Sequence, residues 1–190
     1  FHCENYAMIE HLEENAHAQG EEAYSFHYLT RPNVTEAQAV ATVLQFAKAT
    51  GAKVGICHIS TAEACQFVRQ AQKEGLDVTA EICYHYLFFD TDAIDTYGPY
   101  AKCNPPLRSK ADVAALWEAL ADGTATVLGS DHAPHIKDEK EKGCTEGIWR
   151  APSGIPTLEA FLHFMLTAIN QGRLTFAQLS QYLAANAARL

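Results

Sequence analysis

Gly129-Ser130-Asp131-His132-Ala133-Pro134-His135 gathers one carboxylate and two imidazoles in a short stretch. It follows Ala125-Thr126-Val127-Leu128, a run that reads as a buried strand. A second apolar run, Lys53-Val54-Gly55-Ile56-Cys57, ends in His58, and His2 opens the chain just before Cys3-Glu4-Asn5. Imidazole and carboxylate groups are ligands for divalent metals, and an Asp beside such an ion takes a proton from its water. His2, His58 and Asp131, each at a strand end, therefore predict metal-assisted hydrolysis. Taken singly, His58 reads as a hydrogen-bonded core residue; for Asp131 the alternative is a helix cap, but Pro134 and the charged run 137–142 read as a loop. The recurrence carries the ligand reading, because in a barrel all strand C-termini converge on one mouth. An Asp that ends a buried strand must also be paired, hydrogen-bonded or metal-bound to offset its desolvation.

Alternating elements must position these groups. Residues 35–50 read as a helix with a Thr35/Gln38 capping box, an apolar stripe of Val40, Val43, Leu44 and Ala47, and Gly51 as its stop. Strand 53–59 follows. A Ser60/Glu63 box then opens a helix with Ala64, Phe67, Val68 and Ala71 on one face and Gly75 at its end. Strand 77–83 leads into a long connection, Tyr84 to Arg108. Ser109 caps a helix bearing Val113, Leu116, Trp117 and Leu120, and strand 125–130 closes the series. Beyond it, Leu158, Phe161, Leu162, Met165 and Ile169 form one helical stripe, and Thr175/Gln178 cap another helix. Strands alternating with amphipathic helices imply an α/β fold whose parallel sheet is covered on both faces. A strand before His2 would make four βα units, half of a (β/α)8 barrel. The doubly wound alternative lacks its Gly-rich phosphate loop.

The remaining loops are read in the same way. Two prolines stiffen Cys103-Asn104-Pro105-Pro106-Leu107-Arg108, which suits Asn104 to positioning a ligand. Glu81 within its strand calls for a buried basic partner, and His85 and Tyr86 pack or line the mouth. Pro152-Ser153-Gly154-Ile155-Pro156 is a turn whose backbone can approach a ligand. Of His132 and His135, one contacts substrate and the other holds the loop. His11, His17, His27 and His163 read as surface or packing residues. The charged run 137–142 reads as a solvated loop.

Composition excludes other classes. The chain has 14 Lys and Arg against 23 Asp and Glu, a formal net charge of −9, which argues against nucleic acid and anionic membranes as partners. No apolar run approaches a membrane span. The six cysteines form no CxxC pair, so a reducing, cytoplasmic setting is expected.

Taken in order, the motifs resemble those of the cyclic amidohydrolases: dihydroorotase, hydantoinase/dihydropyrimidinase and allantoinase. The carriers are His2-Cys3-Glu4-Asn5, His58-Ile59-Ser60-Thr61, Glu81-Ile82-Cys83-Tyr84-His85-Tyr86-Leu87, Asn104-Pro105-Pro106-Leu107-Arg108, Ser130 to His135, and Ala151 to Pro156. Tyr84 stands where that family usually has Pro. The resemblance implies a TIM barrel of which residues 1–190 are the C-terminal half, about strands 5–8. It implies zinc, two ions in the parent chain, with His2 and His58 on the more exposed ion and Asp131 on the other, acting as general base. It implies Asn104 at the ring amide and His135 at a substrate carboxylate. The implied reaction opens a small cyclic amide or ureide with metal-activated water, in a homo-oligomer. Asn104 with His135 leans toward dihydroorotase, and Leu29-Thr30-Arg31-Pro32 leaves hydantoinase and allantoinase open. The family's strand-one His-x-His pair and strand-four bridging Lys have no counterpart in these residues. The different-class alternative is a non-catalytic scaffold with the same fold.

Overall fold

A computed structural model describes residues 1–190. Three parallel strands, β1 (Val54–Ile56), β2 (Val78–Cys83) and β3 (Val127–Gly129), form one sheet in sequence order. Val54 pairs with Val78, and Glu81 pairs with Val127. β1 stops at Ile56, short of the loop end of its sequence run, whereas β2 loses only Asp77 and β3 is trimmed at both ends. A fourth position beside β1 is held by Phe1, whose ammonium donates to the Gly55 carbonyl at 2.6 Å and whose carbonyl accepts from Cys57 N at 2.9 Å. These bonds align His2 with the C-terminal edge of the sheet.

The first helices are α1 (Tyr6–Ala18), the single turn α2 (Phe26–Leu29) and α3 (Asn33–Thr50). After β1 comes α4 (Ala62–Lys73). The connection after β2 folds into α5 (Tyr84–Phe88), α6 (Thr91–Tyr97) and a 3-10 turn at Gly98–Ala101. Then come α7 (Lys110–Ala121), α8 (Lys137–Thr145), a 3-10 turn at Ile148–Arg150, α9 (Leu158–Asn170) and α10 (Phe176–Ser180). Val54, Ile56, Val78, Ala80 and Ile82 bury one sheet face against Val40 and Leu44 of α3, Val68 of α4 and Leu116 of α7. Each large aliphatic side chain so removed from water contributes about 1.5–3 kcal/mol.

Covering of both faces, expected from the sequence, is not what forms. Gly55 and Cys57 are exposed, and Thr79 and Glu81 are half-buried. Helices cover one face only. The other is the face that a closed barrel fills with side chains of further strands. The α9 stripe is also corrected: Met165 and Ala168 are buried, whereas Leu158 and Leu162 are exposed.

Two capping expectations hold and two move. Ser109 caps α7 in a full capping box with Asp112, and Thr175 caps α10 with Gln178. Thr35 instead lies inside α3, whose first turn follows Pro32, and its hydroxyl donates to the Pro32 carbonyl. Thr61, not Ser60, caps α4, because Ser60 is engaged elsewhere: its N–H and hydroxyl both donate to the buried Glu36 carboxylate. The charged run 137–142 is also helical rather than a solvated loop, and Lys140 within it is buried.

Asp112 joins three helix starts. Its carboxylate accepts from Ser109 N and Oγ, from Asn33 Nδ2 at 2.9 Å and from Ala62 N at 3.0 Å. Asp112→Ala strands these buried donors and removes a capping box. We expect a loss of about 2–4 kcal/mol, measured by urea unfolding. A change within about 0.5 kcal/mol would remove Asp112 from this role.

Candidate functional site

The site begins where β1 stops. Past Ile56 the chain turns sharply at His58, which takes φ +37°. A non-glycine residue in that region is strained by about 1–3 kcal/mol and needs its surroundings to hold it. Glu81 supplies the hold: its Oε1 accepts from His58 N at 3.3 Å, and its own carbonyl accepts from Ile59 N at 2.8 Å. The turn aims His58 Nε2 at His2 Nδ1, 3.0 Å away, with the rings edge to face.

The far side of His2 fixes its tautomer. Nε2 donates to Glu4 Oε2 at 2.9 Å, and Arg31 Nη1 donates to the same oxygen at 2.9 Å. Burial pushes the Glu4 carboxyl up, but the His2 hydrogen bond and the Arg31 charge outweigh it and hold Glu4 below the usual range. An ionised Glu4 takes the Nε2 proton of His2 as its donor, which leaves Nδ1 as a lone pair facing His58. Burial, then the neighbouring His2, lowers the pKa of His58, and its Nδ1 is buried without a partner. Two imidazoles thus face one another, with a carboxylate behind one of them. That is the donor arrangement of a histidine metal site with its orienting carboxylate.

Asp131 follows β3 on the neighbouring edge. It too takes a left-handed backbone, φ +43°. Contrary to the sequence expectation it is exposed, and no hydrogen bond or ion pair occupies its carboxylate. Gly129 stands just before it because a Cβ there would collide with the Glu81 carboxyl. Glu81 lacks the basic partner expected for it. Burial raises its pKa, and the charge of Asp131 adds to the rise. The structure therefore brings His2 and His58 together but does not join Asp131 to them: no three His, Cys, Asp or Glu side chains form a metal-holding group.

The other loops are strapped down. His132 Nδ1 accepts from Thr157 N at 3.0 Å and Leu158 N at 3.2 Å, which makes it the loop-holding histidine. His135 is engaged at both nitrogens, with the Ser153 carbonyl at 3.2 Å and Glu139 Oε2 at 3.4 Å. Around Asn104, buried His27 Nε2 contacts the Cys103 carbonyl at 2.8 Å and Tyr86 Oη donates to the Pro105 carbonyl at 2.7 Å. Asn104 Oδ1 is itself buried and unpartnered, an acceptor held ready on a rigid loop. Sequence reasoning missed Glu4 and Arg31 as supports of the histidine pair. The signal for Glu4 was its place two residues after His2.

No family model matches the chain. The chain is 36% identical over 187 residues to an allantoinase of Enterococcus faecalis, covering 98% of this chain and 41% of that protein. It is also 36% identical to an allantoinase of Salmonella paratyphi B over 98% of its length. Among solved structures, a D-hydantoinase superposes on all of this chain with TM-score 0.95 at 30% identity, and an L-hydantoinase of Arthrobacter aurescens with TM-score 0.94 at 34%. Each of these is covered over 42% of its own chain. A dihydroorotase of Campylobacter jejuni, at 22% identity and TM-score 0.67, shares the fold. The α/β architecture is thus that of about half a (β/α)8 TIM barrel. The chain belongs to the cyclic amidohydrolase family, and spans about two fifths of the length of the curated relatives it matches.

His85 provides a test of the buried histidines near these strand ends. Burial first, then His58, pushes its pKa to about 3, and neither ring nitrogen has a partner. In the unfolded chain a His titrates near 6.5. The unfolded state therefore binds more protons below about pH 6.5, and stability falls as pH drops from there toward about 3. His85→Leu should abolish up to about 2 kcal/mol of the stability lost between pH 7 and pH 5. An unchanged acid slope in urea titrations would contradict this assignment.

Proposed function

We propose that this chain supplies one half, residues 1–190, of the catalytic barrel of a metal-dependent hydrolase that opens a cyclic amide or ureide ring. The observation that carries the reading is the His2–His58 pair, 3.0 Å apart with Glu4 behind it, at the same sheet edge as the free carboxylate of Asp131. The pair fits a divalent metal. His2 Nδ1 and His58 Nε2 would hold it, once the proton shared between them moves to the orphaned His58 Nδ1. Imidazole donors suit zinc. When bound, such an ion polarises a carbonyl and lowers the pKa of water. Further donors would have to complete the set.

Asp131 is the proton carrier in this reading. An exposed, unpaired carboxylate has both oxygens available to take a proton from the attacking water. It then delivers that proton to the ring nitrogen as the C–N bond breaks. In this reading Asn104 Oδ1, buried and without a partner in the chain, accepts from a ring amide N–H. Six free cysteines, four of them buried, fit a reducing compartment such as the cytoplasm. No helix is long and apolar enough to cross a membrane.

We assign an uncharged five-membered ureide ring, of the hydantoin or allantoin type, as the substrate class. Two observations support it over a ring bearing a carboxylate. The 36% identity is to allantoinases. Glu139 also places a carboxylate beside His135, the residue that would have read a substrate anion, and like charges repel there. The complete protein should therefore turn over hydantoin or allantoin at a kcat/KM at least tenfold above that for dihydroorotate. Faster use of dihydroorotate would reverse the assignment. Asp131→Asn should lower kcat roughly 10²–10⁴-fold with metal retained. Near-normal kcat in a metal-replete variant would remove Asp131 from proton transfer.

Metal binding is tested separately. Glu4→Gln should weaken zinc affinity about 10–100-fold, read by competition with a chromophoric chelator. Equal affinity would show that Glu4 supports the fold rather than the metal. Neither metal nor turnover in the complete protein is the result that favours the scaffold alternative.

A further inference from the structure

Two buried lysines in this molecule have no acidic partner. Lys140 of α8 donates to three backbone carbonyls: Pro99 at 3.1 Å, Lys102 at 3.2 Å and Pro152 at 2.9 Å. Lys102 donates to two more, Ile148 at 2.9 Å and Ala151 at 2.7 Å. Burial pushes both pKa values down to about 8, so both remain charged at neutral pH. A buried ammonium without a counter-ion is costly. Here carbonyl dipoles alone solvate it, as they would a bound cation.

The carbonyls come from two separate segments. Pro99 and Lys102 precede the Asn104 loop, and Ile148, Ala151 and Pro152 precede the Ser153-Gly154 turn. The segments also bond directly, Gly154 N to the Lys102 carbonyl at 2.9 Å. A second contact of α8 points the same way. Gly143 lies three residues from Lys140, on the same helix face. A Cβ at Gly143 would come within 2.6 Å of both Ala151 Cβ and Pro99 Cγ. The helix is thus pressed against both segments at once, and glycine makes the approach possible.

We propose that Lys140 and Lys102 form a cationic clasp that fixes the Asn104 loop and the Ser153-Gly154 turn relative to one another, making both lysines positioning residues for the ring substrate. The word substrate rests on the reading of the preceding subsection. The clasp itself rests on the five carbonyl contacts. Charge is the working property: an apolar side chain of equal length leaves the carbonyls unpaired, whereas Arg restores a donor.

The test uses the complete protein with Lys140→Met, Lys140→Arg and Gly143→Ala. Hydrogen exchange at Gly154 N–H should speed up at least tenfold in Lys140→Met and in Gly143→Ala, with the β2 amides unchanged. Lys140→Arg should restore at least part of the protection. With hydantoin as substrate, Lys140→Met should raise KM at least fivefold while kcat changes less than threefold. Unaltered exchange at Gly154 in both variants would overturn the clasp. So would equal acceleration in β2, which marks general destabilisation. Should Lys140→Met fail to fold, Gly143→Ala decides alone by the same exchange criterion. A loss confined to kcat would overturn the positioning role. If the exchange pattern holds but the wild type opens no ring substrate, the functional reading falls and the clasp stands.

Discussion

Parallel pairing is the constraint from which the rest follows. Parallel strands all end on the same edge, so whatever residues follow them are neighbours in space however far apart in sequence. Phe1 beside β1, β1 beside β2, and β2 beside β3 bring the loops after Phe1, Ile56, Cys83 and Gly129 to one edge. Glu81 then ties two of those ends together. Its carboxyl receives the His58 amide on one side and fills the space left by Gly129 on the other. The left-handed non-glycine residues of the chain, His58 and Asp131, stand beside these two anchor points. Strain of that kind persists only where packing fixes it, and it is how a site holds side chains off the regular strand direction.

Behind the edge lies a polar layer that burial makes expensive. Glu36 is buried and its carboxyl is pushed up by desolvation, against the opposing charge of Arg108 and the donors of Ser60. Arg108 donates to Ser60 Oγ and to the Arg31 carbonyl, and Arg31 in turn holds Glu4. The chain of contacts runs from the Asn104 loop through Arg108, Arg31 and Glu4 to the histidine pair, with Ser60 and Glu36 of α3 as a branch. Arg108 Nη2 and Arg31 Nε remain without partners, so the network is a cost in stability as well as a source of order. Its gain is orientation: Glu4 stays ionised, His2 keeps one tautomer, and a lone pair faces His58.

Much of this was legible in the sequence. The periodicity of Val40, Leu44 and Ala47, and of Ala64, Val68 and Ala71, depends only on which helix face meets the sheet, and those residues are buried, whereas Phe67, expected on the same face, is exposed. The Ser109 and Thr175 caps were legible because their partners lie three residues away. His2, His58 and Asp131 stood out because polar groups rarely end apolar runs. Local rules failed where a distant group competed for the same donor. Ser60 was drawn to Glu36 and left α4 to Thr61. The charged run 137–142 looked solvated because its pattern is polar, yet carbonyls contributed by remote segments bury Lys140.

The sequence by itself determined the elements, their alternation and the residue types at the strand ends, since these depend on neighbours within a few positions. Only the tertiary structure decided which of those residues meet. His2 contacts His58 because Phe1 bonds to β1, while Asp131 stands apart on a corner of its own. It also decided that one sheet face stays open and that both nitrogens of His135 are engaged. The physical reason is that hydrogen bonds and charge pairs act over a few ångströms of space, and a linear pattern carries no information about which distant groups will share that space.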